Sequence, residues 1–416
     1  MNTQVFQLSM PTIPPRSSII VGDPKLFRDI LTDPLTTKDE RLYSHFKNAY
    51  GDGGIPTMFT TSYLGKLWHA KRKACSPAFS SNHIKRMNRV ALEKTESWIE
   101  DTLMDESPSF DVSQEMIGIV LSALSETAFE YTLSDDEKQM FGHELGIALV
   151  EFARKSPVLP LRGTFLGWFI PKRRRAVAAA NKMRGLAMKI MNEYRSRKNN
   201  ESSKGTIIQL IMESNEAFPT DDDRAAQLLE FLVAGHDTTG YTISFILIEL
   251  AKNLAEQTKL REALSNVTPE TYTSCEQLKL VVREGMRLHP VGRSVRVTGR
   301  DFTTTEDNNN NNYIIPKGQT CILSFQLLFR NPHVFENPDS FVPSRWINPT
   351  KLMLDCVTPF SLGKQNCIGQ SLARVETFSI IARIISEYEL TLESEGYIDF
   401  ALTVKPVGYR LKARKV

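Results

Sequence analysis

The stretch Pro359–Glu376, PFSLGKQNCIGQSLARVE, holds one cysteine, Cys367, between Gly363 and Gly369. Glycines at those distances allow a tight loop whose backbone comes very near a flat cofactor, where bulkier side chains would obstruct the approach. The residues after Cys367 read as a helix to about Glu387, which puts the sulfur beside free N–H groups at a helix N-terminus. Such groups lower a thiol pKa and favour the thiolate, the form that ligates metals.

Upstream, VVREGMRLHP places Glu284 and Arg287 three residues apart, on one face of a helix, and FVPSRW follows with Arg345. If buried, these charges must satisfy one another. Nearer the N-terminus, WHAKR sets Trp68 and Arg72 four apart on one helix face. Between them lies FLVAGHDTTGYTISFILIEL, an apolar helix interrupted by Gly235, Asp237, Thr238 and Thr239. Gly weakens a helix locally, and a Thr hydroxyl can bond a carbonyl one turn back. The reading is therefore a backbone ladder that opens into a groove for dioxygen and water.

Taken in order, these segments resemble the cytochrome P450 superfamily over nearly the whole chain. The resemblance implies a haem-thiolate monooxygenase fold, mainly α with small β-sheets, with haem b between the distal helix and the cysteine loop. Cys367 would ligate the iron, with Phe360 packed beside the sulfur and Gly363 and Gly369 flanking it. A thiolate in that position pushes electron density toward O–O cleavage. Trp68 and Arg72 would contact a haem propionate, with Arg296 as the further propionate contact and Arg293 its competitor. The family usually carries a base two residues before the cysteine. Here Gln365 stands there, and a neutral amide hydrogen-bonds a propionate without neutralising it, so looser haem retention is expected. Ala234 and Gly235 open the AGHDTT string, in which Asp237 would relay protons and Thr238 would steady the oxygen being reduced. Splitting the O–O bond requires protons delivered by a positioned acid. Glu284, Arg287 and Arg345 would form the triad that locks the haem-side core.

The rest of the chain fits an α-rich protein. Short strands are expected at Val5 to Leu8, Ser18 to Val21, Ser294 to Val297 and Tyr313 to Ile315. Asp23 before Pro24 starts a helix to Leu31, and His83 to about Ile248 is mostly helical in period. Ser134 with Glu137 and Thr220 with Asp223 are helix starts there, and Ser274 with Gln277 caps another helix to about Leu288. The tract Asn308 to Asn312 is too polar to pack and reads as an expanded hairpin loop. No Gly/Ser or Pro-rich linker divides the sequence, so residues 1–416 read as one domain. The family's eukaryotic members usually carry a membrane anchor and an extra helix before the first strand, and this chain begins near that strand.

Composition narrows the function classes. With 41% hydrophobic and 24% charged residues the chain can bury a large core, and a net charge of +3 with interspersed signs does not imply nucleic-acid binding. Cys75, Cys275, Cys321, Cys356 and Cys367 are widely spaced, without CxxC pairing, which reads as an intracellular, reduced protein. No run reaches the length of a membrane span. In a eukaryote the family would place it on the cytosolic face of the endoplasmic reticulum. FLGWFIPKRRR joins aromatics to four bases, a composition suited either to peripheral contact with a membrane surface or to a roof over the substrate channel.

The resemblance implies oxygen insertion from O2 into a hydrophobic small molecule by a monomer working in lipid or secondary metabolism. Electrons would come from a separate NADPH-cytochrome reductase or a ferredoxin-type donor, since no GxGxxG nucleotide motif follows a strand. Phe231, Ala234, Val291 and Val295 are expected to line an apolar pocket for a lipid, terpenoid or steroid. Arg293, if it points inward, would hold a substrate carboxylate. Two alternatives stand beside this: a haem-thiolate isomerase or dehydratase, which needs no acid-alcohol pair, and a degenerate haem-binding non-enzyme, suggested by Gln365.

Overall fold

A computed structural model of the chain describes residues 5–10, 16–50, 54–103, 108–155, 169–197, 205–304, 313–400 and 403–416. The stretch 156–168, with most of the aromatic segment before the basic run, and the asparagine tract lie outside the described residues.

Five strands form the largest sheet, in the order Val5–Met10, Arg16–Val21, Thr320–Leu323, Ser294–Val297, Thr37–Lys38. Only Arg16–Val21 with Thr320–Leu323 is parallel; the other pairs are antiparallel. The last pairing sets Lys38 opposite Arg296 and Thr37 opposite Val297. Helix Pro24–Thr32 begins where Asp23 accepts the Leu26 N–H at 2.7 Å, and it buries Leu26, Phe27, Ile30 and Leu31. That apolar stripe shares a core with Val21, Cys321 and Leu323 of the sheet.

The helical block is organised on Asp221–Lys252. Thr220 and Asp223 close a reciprocal capping box at its start, and most of its residues are buried on every side, as expected of a helix at the centre of a large protein. Its first half, Ala225 to Val233, belongs to one apolar core with helices Ser81–Thr102, Asp135–Leu149 and Pro171–Ser196. Its second half, Ile243 to Ala251, belongs to another core with Glu276–Leu288 and Gln370–Glu387. The residues between the two cores, 234–242, include the interruption seen in the sequence. The helix nevertheless runs unbroken through it. The expected opening of the ladder is absent: Thr238 and Thr242 each donate to the carbonyl four residues back, at 2.8 Å, without breaking the helix.

Helix Glu276–Leu288 starts from Cys275 with no side-chain cap, so Ser274 is not its cap. Ser274 instead ends the short 3-10 turn Pro269–Ser274. Among the described residues no helix is long and apolar enough to cross a membrane.

Candidate active site

The cysteine loop is closed by its own backbone. Cys367 N–H donates to the Phe360 carbonyl at 2.9 Å and Asn366 N–H to Gly363 O at 3.2 Å. Gly363 has φ +72°, and a Cβ there would stand 2.4 Å from the Leu31 carbonyl oxygen. Its glycine is thus demanded by the left-handed backbone and by the close approach of the Leu31 carbonyl. At Gly369 a Cβ would stand 4.0 Å from Cys367 Sγ, in the space beside the sulfur.

Cys367 opens on a cavity of about 320 Å³. Burial pushes its thiol up, against the opposing pull of the Gly369 N–H and the Arg72 charge. The pull of the Gly369 N–H is the one expected of a backbone donor at a helix N-terminus. Phe360 lines the same cavity, its ring covered by the Arg374 guanidinium 5.2 Å away.

Another wall comes from the long helix, where Phe231, Ala234, Thr238 and Thr242 face inward. Gly235 faces Leu124 instead: a Cβ would meet Leu124 Cδ2 at 2.6 Å, so this glycine serves helix packing rather than the cavity. Asp237 does not line the cavity either. Its carboxylate lies 3.2 Å from His236 Nε2, and burial raises its pKa despite the partial offset by His236 and Lys405.

The polar rim is cationic. Trp68 and Arg72 line the cavity from helix Lys66–Cys75, and Arg72 clamps the cysteine loop through Asn366 O at 3.1 Å and Oδ1 at 3.0 Å. Arg296 enters from its strand, 4% exposed, with a bond from Nη1 to Val295 O at 3.1 Å. Among the described residues neither arginine has a carboxylate partner. Gln365 Nε2 is buried at the same rim without a hydrogen-bond partner. An unmatched buried donor beside two arginines that lack a carboxylate suits an anionic acceptor.

Behind the cavity Glu284 and Arg287 pair as their i, i+3 spacing predicted, and Arg345 joins them as the family resemblance implied. Glu284 Oε1 lies 2.9 Å from both Arg287 Nη2 and Arg345 Nε. Arg287 also donates to the carbonyls of Phe329, Pro338 and Ser340, and Trp346 Nε1 and Val342 N–H donate to Glu284. The buried charges are thus fully matched.

Of the expected pocket residues, Phe231, Ala234, Val291 and Arg293 line the cavity. Val295 does not; it alternates with Ser294 and Arg296, whose side chains take the cavity face of that strand. Sequence reasoning missed Lys38, Tyr43, Phe59 and Glu230, which also line it. Glu230 accepts from Phe59 N–H and Gln227 Nε2, both at 2.8 Å, and Gln227 accepts from Met58 N–H at 3.0 Å. This clips the segment around Met58 onto the long helix. The available signal was Gln227 and Glu230 at i, i+3 within an otherwise apolar run.

The family described as Cytochrome P450 matches residues 4–412. The chain belongs to the cytochrome P450 family. It is 25% identical over 409 residues to Cytochrome P450 4d8 of Drosophila melanogaster, covering 90% of this chain and 86% of that protein. It is 23% identical over 430 residues to the bifunctional cytochrome P450/NADPH–P450 reductase 2 of Bacillus subtilis, covering 99% of this chain but 39% of that longer protein. In fold it is similar to the crystal structure of the cytochrome P450DA heme domain, with a TM-score of 0.80 at 21% identity, covering 99% of this chain and 89% of that one. As a P450 the chain is a haem-thiolate oxidoreductase that incorporates oxygen from O2. The cavity residues fit that group: a cysteine with open space beside its sulfur, a cationic rim without carboxylate partners and with one unpartnered amide, suited to propionates, and an apolar remainder.

Proposed function

We propose that this P450 inserts one oxygen atom of O2 into an apolar lipid, terpenoid or steroid-like molecule, with electrons from an NADPH-dependent reductase or a ferredoxin-type donor. The observation that carries the reading is that Cys367 and the Ala234–Thr238 face of the long helix open on one cavity rimmed by Arg72 and Arg296, which have no carboxylate partner among the described residues, and by the unpartnered amide of Gln365.

In this reading Cys367 holds the haem iron, Phe360 packs by the sulfur, and Trp68, Arg72, Arg296 and Gln365 receive the propionates. Bound there, the haem supplies the site where O2 is reduced and cleaved, the thiolate push favouring cleavage. Thr238 donates its hydroxyl proton to Ala234 O, so its oxygen would face the space above Ala234 as an acceptor that holds a proton-bearing water there. Asp237, buried away from the cavity beside His236, is a proton reservoir whose raised pKa keeps it able to donate, and transfer to the Thr238 side needs water between them. Phe231, Val291 and Phe59 exclude water and give an apolar lining.

Phe169, 73% exposed just before the basic start of helix Pro171–Ser196, supports peripheral contact with a membrane surface. Flotation with vesicles containing anionic lipid, lost when Phe169 is changed to Ser, tests that part. The main reading is tested by turnover with a P450 reductase under ¹⁸O2. One labelled atom in the product and one in water is the expected result, while substrate conversion without label incorporation overturns it in favour of an isomerase.

A further inference from the structure

Helix Glu276–Leu288 ends on His289, whose backbone N–H donates to Gly285 O at 2.9 Å, and the chain then enters the cavity wall at Pro290 and Val291. His289 lines the cavity as well. Its ring lies flat on Phe245, with centres 4.4 Å apart and planes 1° apart, and its Nε2 meets Glu249 Oε1 at 2.8 Å. Phe245 and Glu249 are one turn apart on the long helix, on the face that carries Thr238 and Thr242 into the cavity.

Two contacts therefore fix the imidazole. The stack sets its plane, and the carboxylate sets which nitrogen carries the proton. A carboxylate accepts, so Nε2 is the N–H nitrogen and Nδ1 of the neutral ring is a bare acceptor. Burial lowers the His289 pKa and keeps the ring neutral, with Glu249 pulling the other way and Arg330 and Lys252 adding to the effect of burial. Both cations are engaged elsewhere, Arg330 with Leu288 O and Asp339, Lys252 with Glu395. Among the described residues Nδ1 has no hydrogen-bond partner, yet it is not sealed from open space. The long helix runs from the cavity toward Glu249, so the ring edge opposite Nε2, which holds Nδ1, is turned back toward Thr242 and the cavity. Neighbouring side chains bring no donor to it: Met286, Pro290 and Val291 are apolar, and Thr242 gives its proton to Thr238 O at 2.8 Å.

We propose that His289 is a specificity-determining residue whose Nδ1 accepts a hydrogen bond from a hydroxyl group on an otherwise apolar substrate. An ionised acid has no proton to give to this acceptor. An ammonium would meet the positive charges of Arg72, Arg293 and Arg296 around the same cavity. A neutral alcohol meets neither obstacle. Glu249 is a positioning residue here, holding the tautomer and the ring without reaching the ligand. The proposal rests on the reading that this cavity holds substrate beside haem, and it narrows that substrate to an apolar frame bearing a hydroxyl.

The test measures binding to the haem-loaded protein by equilibrium dialysis with two matched probe pairs, dodecanol with its methyl ether and androstanol with its methyl ether. Within each pair only the alcohol can donate. Three variants separate the two ring nitrogens. His289→Gln keeps an amide within reach of Glu249 but nothing at Nδ1, His289→Asn puts an amide oxygen where Nδ1 stood, and His289→Phe keeps only the stack on Phe245. Wild type is expected to prefer at least one alcohol over its ether by about fivefold, the size of one neutral hydrogen bond. The Asn variant should keep most of that preference, while the Gln and Phe variants lose it without losing affinity for the ether. No preference in wild type for either alcohol overturns the proposal. So does a preference that survives in the Gln and Phe variants, an Asn variant as indifferent as Phe, or alcohol and ether weakened alike, which marks a displaced cavity wall. A wild type that takes up no haem strikes the underlying reading instead, and shows in the carbon monoxide spectrum before any probe is added.

Discussion

Glu284 grips Arg287 with both carboxylate oxygens, Nε to Oε2 and Nη2 to Oε1 each at 2.9 Å, and neither side chain has any exposure. Because Arg345 Nε and Trp346 Nε1 converge on the same carboxylate, Glu284 joins the helix Glu276–Leu288 to the irregular segment around residues 336–346. Glu284→Ala leaves a buried guanidinium unpaired and is expected to cost about 3–5 kcal/mol. Urea unfolding of the haem-loaded protein measures it; a cost under about 1 kcal/mol, the range of an exposed pair, would contradict the account.

Thr238→Ala removes the hydroxyl at the cavity and its bond to Ala234 O. Haem content and the thiolate-type spectrum should stay as in wild type, while a larger share of consumed NADPH appears as hydrogen peroxide. Coupling equal to wild type would mean that the hydroxyl is only a helix bond.

Gln365→Arg converts a neutral donor at the rim into a charged one. Haem transfer to apomyoglobin should slow by roughly fivefold, the difference between a neutral and a charge-assisted hydrogen bond. Equal rates would remove Gln365 from the propionate site.

Glu376, on the helix that follows the cysteine loop, is fully buried with Oε1 unpartnered, and burial pushes its carboxyl up to about 8. A folded-state pKa above the unfolded value means the native protein binds the extra proton. Its contribution is complete below about pH 4.5 and is lost as pH rises toward 8. Glu376→Gln should therefore flatten the fall of stability between pH 5 and 8 and be more stable than wild type at pH 8. Parallel denaturation midpoints across that range would show that Glu376 finds a partner when ionised.

Local spacing made the core of the site readable. Glu284 with Arg287, Trp68 with Arg72, and Cys367 with Phe360 each lie within one helix or one loop, where a few residues of separation fix mutual geometry. What the spacing could not give was direction. Val295 was placed in the pocket beside Arg296, although strand alternation turns one of the two away. Asp237 and Gly235 share the motif of Thr238, but at 3.6 residues per turn they face His236 and Leu124 rather than the cavity. Lys38 and Tyr43 reach the site only because the strand at Thr37–Lys38 pairs with Ser294–Val297, a contact between segments remote in sequence. The α-rich fold with small sheets was legible from period and capping. The order of the five-stranded sheet was not, since it depends on pairings that leave no local trace.

The central claim is that the Cys367 thiolate holds haem, and the most direct measurement is the carbon monoxide difference spectrum of the dithionite-reduced protein, wild type against Cys367→Ser, after haem-supplemented expression. The account predicts a red-shifted thiolate-type Soret band in wild type that disappears in the variant. The same band in both, or a wild type that takes up no haem, would contradict it.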